Sequence, residues 1–236
     1  MAFENKHFRH ELKYYITYFE MIALRKKIAS FLSLDKHATS PDGYNIRSLY
    51  FDGMHEHSLH DKNDGIFGRE KYRIRIYNEN DAIIKLERKS KYGDYINKEG
   101  APLTREDYDA ILRGEYHSLK ERPEVLTHDF YRALEFRRFQ PRVIVDYTRE
   151  AYIYELGNVR ITFDKELRAG INGIDLFHKN NVFQEILYPE QVILEVKYDD
   201  FLPDVIRQLL QPERLTRSAI SKYVLCRERT IQYFKV

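Results

Sequence analysis

Polar and apolar side chains alternate over many stretches of this chain, and the clearest runs from Arg69 to Tyr77. Arg69, Lys71, Arg73 and Arg75 fall in one phase, and Glu70, Tyr72, Ile74 and Ile76 in the other. That is the period of a β-strand with one basic and one mostly apolar face. Ile83 to Lys89 repeats the pattern, with Lys85, Glu87 and Lys89 opposite Ile84 and Leu86. The short polar connection Asn78-Glu79-Asn80-Asp81 predicts a hairpin, so the two charged rows lie side by side. Phe8 to Thr17 alternates as well, with Arg9, Glu11, Lys13 and Tyr15 opposite His10, Leu12, Tyr14 and Ile16. Further strands are predicted over Tyr44–Asp52, Arg142–Tyr154, Val159–Asp164 and Val192–Tyr198, the last with Glu195 and Lys197 opposite Val192, Leu194 and Val196. Lys91 to Gly100 reads as a bend and a short strand.

Helical spacing appears between these strands. Ile22, Leu24, Ile28, Phe31 and Leu32 make an apolar stripe over Tyr18–Leu34. Thr104-Arg105-Glu106-Asp107 opens a helix with a capping-box pattern that Gly114 ends. Helices are also predicted over Thr127–Phe139, before Pro141, and over Leu202–Leu210 and Ser221–Phe234. Pro41-Asp42-Gly43 and Gly157-Asn158 mark turns. The class is α+β. The helices need the apolar faces of the strands to pack on, so the charged faces are expected to converge inside a closed or nearly closed antiparallel sheet.

Composition narrows the function. The 236 residues carry 43% hydrophobic and 32% charged side chains, ordinary for a globular protein, with a formal net charge of only +2. A diffuse basic excess, expected of a general nucleic-acid binder, is missing, so no nucleic acid is expected as a partner. The lone Cys226 rules out an intramolecular disulfide and a cysteine-rich metal site. No apolar run reaches membrane-spanning length and the N-terminus has no signal-peptide core, so a cytoplasmic protein is expected.

An enclosed charged face is stable only if its cations are paired, hydrated or filled by an anionic ligand. Glu11, Glu87 and Glu195 each precede a lysine by two positions, as Glu-Leu-Lys, Glu-Arg-Lys and Glu-Val-Lys. They can neutralise those neighbours, or hold a hard divalent cation together with substrate phosphates. Arginine rows mixed with a few carboxylates suit phosphoryl transfer. His55, His57, His60 and Asp61 look at first like a metal cluster, but no second ligand pair at a fixed spacing supports one, and a surface helix that happens to carry histidines is the better account. There is neither a Gly-Lys-Ser/Thr phosphate loop nor a Gly-x-Ser-x-Gly elbow.

Taken in order, several motifs resemble the triphosphate tunnel metalloenzymes, and within them the catalytic domain of vacuolar transporter chaperone (VTC) type polyphosphate polymerases. They are Arg9-His10-Glu11-Leu12-Lys13-Tyr14, Ser48-Leu49-Tyr50-Phe51-Asp52, Lys71-Tyr72-Arg73-Ile74-Arg75, Leu86-Glu87-Arg88-Lys89, Tyr147-Thr148-Arg149, Val159-Arg160-Ile161-Thr162, Leu194-Glu195-Val196-Lys197 and Ser221-Lys222-Tyr223. The likeness covers nearly the whole chain. It implies a single domain over 1–236, an eight-stranded antiparallel closed β-barrel with a charged interior and helices outside. The expected activity is transfer of the ATP γ-phosphate to polyphosphate, with a divalent metal, manganese or magnesium, as cofactor. By position, Lys13, Arg73, Arg75, Lys89, Arg149, Arg160 and Lys222 would grip phosphates. Tyr147, Ser221, Lys71, Lys197 and Lys98 would add substrate contacts, and Glu195, with Glu11 and Glu87, would hold the metal.

Two departures matter. Where many tunnel enzymes have Glu-x-Glu-x-Lys, Arg9 occupies the first glutamate position, which argues against a hydrolytic triphosphatase of that type. The regulatory domain and membrane helices of eukaryotic members have no counterpart in this sequence. A tunnel triphosphatase and a non-catalytic polyanion-binding module remain as alternatives. Tyr15 and Tyr77 are the aromatic candidates for stacking RNA bases.

Overall fold

A computed structural model describes residues 10–35, 40, 42–54, 56, 59, 68–92 and 95–233. In chain order the elements are β1 (His10–Thr17), α1 (Tyr18–Ile28), β2 (Ser33–Leu34), β3 (Tyr44–Asp52), β4 (Gly68–Tyr77), β5 (Asn80–Tyr92) and β6 (Tyr95–Leu103). There follow α2 (Arg105–Arg113), α3 (Val125–Glu135), β7 (Gln140–Tyr154), β8 (Val159–Gly170), β9 (Phe183–Glu185), β10 (Gln191–Tyr198), α4 (Asp204–Leu210) and α5 (Lys222–Tyr233). The chain divides into two compact units, one of residues 1–45, 147–167 and 185–221, the other of 46–146, 168–184 and 222–236. Arg9 and the histidine cluster of His55, His57, His60 and Asp61 lie outside the described residues.

In the first unit the strands run β1-β10-β8-β7. Residues directly opposite on antiparallel strands point to the same side. The register sets Lys13 opposite Glu195 and Glu11 opposite Lys197, then Glu195 opposite Thr162 and Lys197 opposite Arg160. One face is therefore charged across all three strands. The other presents Tyr14, Ile16, Val192, Leu194, Val196, Ile161 and Phe163 to Met21, Leu24 and Ile28 of α1 and to Ile206 and Leu210 of α4. Each such buried side chain contributes about 1.5–3 kcal/mol relative to exposure. That apolar contact holds the charged face in register.

Helix α1 starts on a capping box in which Thr17 and Glu20 satisfy each other's backbone N–H. It stops at Ile28 rather than continuing to Leu34. Arg25, Lys26 and Lys27 complement the carbonyl end of its last turn. The chain then turns so that Leu32 reaches the core and Phe31 stays exposed, and β2 pairs with β7.

Gly43, in the predicted Pro-Asp-Gly turn, has φ +100, and a Cβ there would sit 2.2 Å from the carbonyl oxygen of Arg149. Gly43→Ala is expected to lower unfolding free energy by about 2 kcal/mol or more, measured by denaturant titration, because both strain and collision act. A loss under about 0.5 kcal/mol, the scale of an ordinary surface substitution, would refute that account.

In the second unit the strands run β7-β3-β4-β5-β6. The predicted hairpin is present but tighter than expected. Asn78 (φ 51) and Glu79 (φ 57) alone make its turn, and two positive φ angles match the twist of the flanking strands. The register sets Lys71 opposite Lys89, Arg73 opposite Glu87 and Arg75 opposite Lys85, then Lys89 opposite Lys98. On β3, Tyr50 lies opposite Arg73 and Ser48 opposite Arg75. The reverse side carries Leu49, Phe51, Tyr72, Ile74, Ile76, Leu86 and Ala101, which pack on Tyr108 and Ile111 of α2 and on Phe130, Ala133 and Leu134 of α3.

Thr104 and Asp107 form the expected capping box of α2, and Gly114 closes it in the left-handed conformation at φ 81. Helix α3 ends at Glu135, short of the predicted Phe139. The Phe139 N–H bonds back to the Ala133 carbonyl, which keeps that ring in the core without further helix. Strand β8 continues to Gly170, beyond the predicted Asp164, and β6 reaches Leu103 rather than ending at Gly100.

The path thus contains the eight expected strands, with β2 and β9 attached to β7 and β8. Its ends are β1 and β6, each with a single neighbour on the path. Closure would need a second ladder on both end strands. Hydrogen bonds among the described residues do not close the sheet, so they do not form the expected closed barrel.

Candidate functional site

Eight of the predicted residues meet on the charged face of the first unit, or beside it. The Lys13 ammonium lies 2.7 Å from Glu11 Oε1 and 3.7 Å from Glu195 Oε1, and donates to the Ile220 carbonyl at 3.1 Å. Burial alone would lower the Lys13 pKa, but Glu195 and Glu11 outweigh it and hold the amine above its ordinary value. Glu195 also pairs with Lys197 at 3.2 Å and Arg149 at 3.5 Å. For Lys197 burial wins over the pull of Glu195 and Glu11, and the amine is pushed below its ordinary value. Arg149 donates two bonds to Asp164, at 2.6 and 2.8 Å, and lies over the Tyr147 ring. Arg160 pairs with Asp35 at 2.6 Å and donates to the Tyr44 hydroxyl at 3.1 Å. Ser221 directly follows Ile220, the Lys13 partner. Here cations and carboxylates nearly balance.

The second unit differs in charge. Glu87 is buried and accepts from Arg73 Nε at 2.7 Å, with Arg73 Nη2 at 2.7 Å, Lys98 at 2.5 Å and Arg75 at 3.7 Å. Burial would raise its pKa, yet Arg73, Arg75 and Lys98 together hold the carboxyl far below the usual range. Arg73 also donates to the Tyr50 hydroxyl at 2.7 Å, and Arg75 to Ser48 Oγ at 3.1 Å. The register places Glu87 on a face of β4, β5 and β6 that also carries Lys71, Arg73, Arg75, Lys85, Lys89 and Lys98. Lys71, Lys89 and Lys98 stand abreast on adjacent strands. Like charges directly opposite destabilise a sheet, so the arrangement opposes folding and favours an anion with several charges. Lys222 opens α5, next to Tyr223, whose ring meets Tyr50 and Lys71.

Each expected residue therefore falls in one of two clusters. Lys13, Tyr147, Arg149, Arg160, Lys197, Ser221, Glu11 and Glu195 belong to the first unit, and Lys71, Arg73, Arg75, Lys89, Lys98, Lys222 and Glu87 to the second. Asp164, Asp35 and Tyr44 carry no role in the sequence reading, and Ser48, Tyr50 and Tyr223 enter it only as parts of motifs, without a role of their own. Asp164 is in phase with Arg160 and Thr162, and Ser48 with Tyr50, so period two could have found them. Asp35 follows a two-residue strand and carries no periodic signal.

Among the described residues, no group of three or more His, Cys, Asp or Glu is placed to hold a metal ion. Glu11 and Glu195 nonetheless suit a hard cation, since both direct an oxygen at the single ammonium of Lys13. Magnesium-like ions commonly take one or two carboxylates and complete their shell with substrate phosphate. Glu87 is instead surrounded by three cationic side chains.

The VTC domain matches residues 8–231. No curated protein matches the chain. Among solved structures, a Bacillus halodurans protein named "putative adenylate cyclase" is similar at a TM-score of 0.51 and 13% identity, over 92% of this chain and 94% of that one. The PH1819 protein of Pyrococcus horikoshii OT3 aligns at a TM-score of 0.47 and 16% identity, over 94% and 99% of the two chains. Among the described residues no helix is long and apolar enough to cross a membrane.

Proposed function

Since this chain belongs to the VTC domain family, we propose that it is a polyphosphate polymerase that transfers the γ-phosphate of ATP to a polyphosphate chain. The observation that carries this reading is the row of Lys71, Lys89 and Lys98 beside Arg73 and Arg75, with Glu87 paired to Arg73, Arg75 and Lys98. Such a surface suits a ligand with several negative charges at regular intervals. The terminal oxygen of polyphosphate attacks the γ-phosphorus, the bond to the β-phosphate oxygen breaks, and ADP leaves. Lys13, Arg149, Arg160, Lys197 and Lys222, with the basic row, bind and orient phosphate oxygens, and Tyr147 and Ser221 donate further hydrogen bonds. Positioning and charge neutralisation supply the rate enhancement, without a covalent intermediate. A divalent ion, manganese or magnesium, held by Glu195 and Glu11, would neutralise charge on the transferring phosphate.

Glu87 keeps the guanidinium groups of Arg73 and Arg75 apart and oriented. The closed eight-stranded tunnel implied by the resemblance, with 1–236 acting as one domain in the cytoplasm, is part of this proposal. Incubation with ATP and manganese, followed by gel staining for polymer, tests it. Long polymer and ADP are expected. Free phosphate as the product would replace the proposal with a triphosphatase, and tripolyphosphate binding with no turnover and no metal effect would replace it with a polyanion-binding module.

A further inference from the structure

Tyr223 lies on α5, far in sequence from the strands it touches, and its side chain is buried. Its hydroxyl donates to Asp52 Oδ2 at 2.6 Å, and the other oxygen of this fully buried carboxylate accepts from the Gly53 N–H at 2.8 Å. The Tyr223 ring therefore has a fixed orientation. One contact of that ring is the Lys71 ammonium, 4.7 Å from the centroid. Another is the Tyr50 ring, at 5.1 Å. Tyr50 in turn accepts from Arg73 at 2.7 Å and lies 5.6 Å beneath its guanidinium carbon. Burial, reinforced by the Asp52 carboxylate, holds the Tyr223 hydroxyl above its ordinary pKa, so it remains a donor.

We propose that Tyr223 is a positioning residue: anchored by Asp52, it holds Lys71 and, through Tyr50, Arg73 at the spacing that a phosphate chain needs. Lys71 and Arg73 occupy neighbouring positions of one strand face and repel, and Arg73 is also held by Glu87. An aromatic surface restrains Lys71 without cancelling its charge, as a carboxylate would, and Tyr50 adds a second hold on Arg73 beside that of Glu87. This inference rests on the phosphate-binding reading above and identifies what sets the geometry of that same row.

A double-mutant cycle tests it, with tripolyphosphate as the probe, calorimetric titration without metal as one readout and thermal melting as the other. Tyr223→Leu is expected to weaken binding roughly tenfold, the scale of a partly desolvated cation–π contact. In a Lys71→Met background the same substitution should cost much less affinity, while its effect on melting temperature is unchanged. Tyr223→Phe keeps the ring and loses the Asp52 anchor. It should give a smaller loss that again depends on Lys71, and it carries the cycle if Tyr223→Leu does not fold. Unchanged affinity in both Tyr223 variants would overturn the inference, as would equal losses with and without Lys71. The unsubstituted protein reports separately on the phosphate-binding reading: if it fails to bind tripolyphosphate, that reading falls and this inference falls with it.

Discussion

Glu195→Gln is expected to lower turnover by about two to three orders of magnitude, the scale seen when one charge-stabilising group is removed from an active site. The side chain lies 3.2 Å from Lys197, 3.5 Å from Arg149 and 3.7 Å from Lys13. Neutralising it leaves a local excess of positive charge. Tripolyphosphate should then bind at least as tightly as to the unsubstituted protein when metal is chelated, because the competing carboxylate is gone. Lost turnover with retained or improved metal-free binding is the combined result expected from steady-state assays and chelated titrations. Melting should stay cooperative, since Lys13 keeps Glu11 at 2.7 Å and Arg149 keeps its two bonds to Asp164. Unsubstituted levels of activity in this variant would remove Glu195 from the metal assignment.

The second large effect is expected at Arg73. Arg73→Ala should weaken tripolyphosphate binding by about 1.5–3 kcal/mol, the range for a hydrogen bond to a charged group. That is roughly ten- to a hundredfold in the dissociation constant. Arg73→Lys is expected to recover little of the loss. The guanidinium directs Nε and Nη2 at Glu87 and Nη1 at Tyr50, all at 2.7 Å, and an ammonium cannot reproduce that planar fork. Full recovery in the lysine variant, read by titration calorimetry, would show that only charge matters at this position.

These expectations begin from features visible in the primary structure. The in-phase charges of Arg69 to Arg75 and of Lys85 to Lys89 identify a hairpin with one basic face, and the register confirms that face down to Lys71 opposite Lys89. Glu11, Lys13, Glu195 and Lys197 were likewise in phase on their strands, and β1 and β10 place them side by side. Element ends were harder to place. Residues 29–34 have helical apolar spacing yet turn at Ile28, because the basic last turn of α1 and the pairing of β2 with β7 end the helix first. Closure of the sheet was not legible at all, since alternation along a strand is the same in an open sheet and in a barrel.

The sequence by itself determined which side of each strand is charged, because the two-residue period follows from backbone geometry and needs no partner. It also marked the capped starts of α1 and α2, which depend on side chains within one turn. Only the tertiary structure decided which partner each charge meets. Arg149 pairs with Asp164, Arg160 with Asp35, and Lys71 rests on Tyr223. Such pairs join segments that are remote along the chain, and their distances are set by how apolar faces such as Leu194 on Phe163 and Tyr72 on Phe130 pack. Periodicity specifies the direction of a side chain. Packing and strand register specify its neighbour, and the neighbour determines whether a cation meets a carboxylate, as Arg149 does, or an aromatic ring, as Lys71 does.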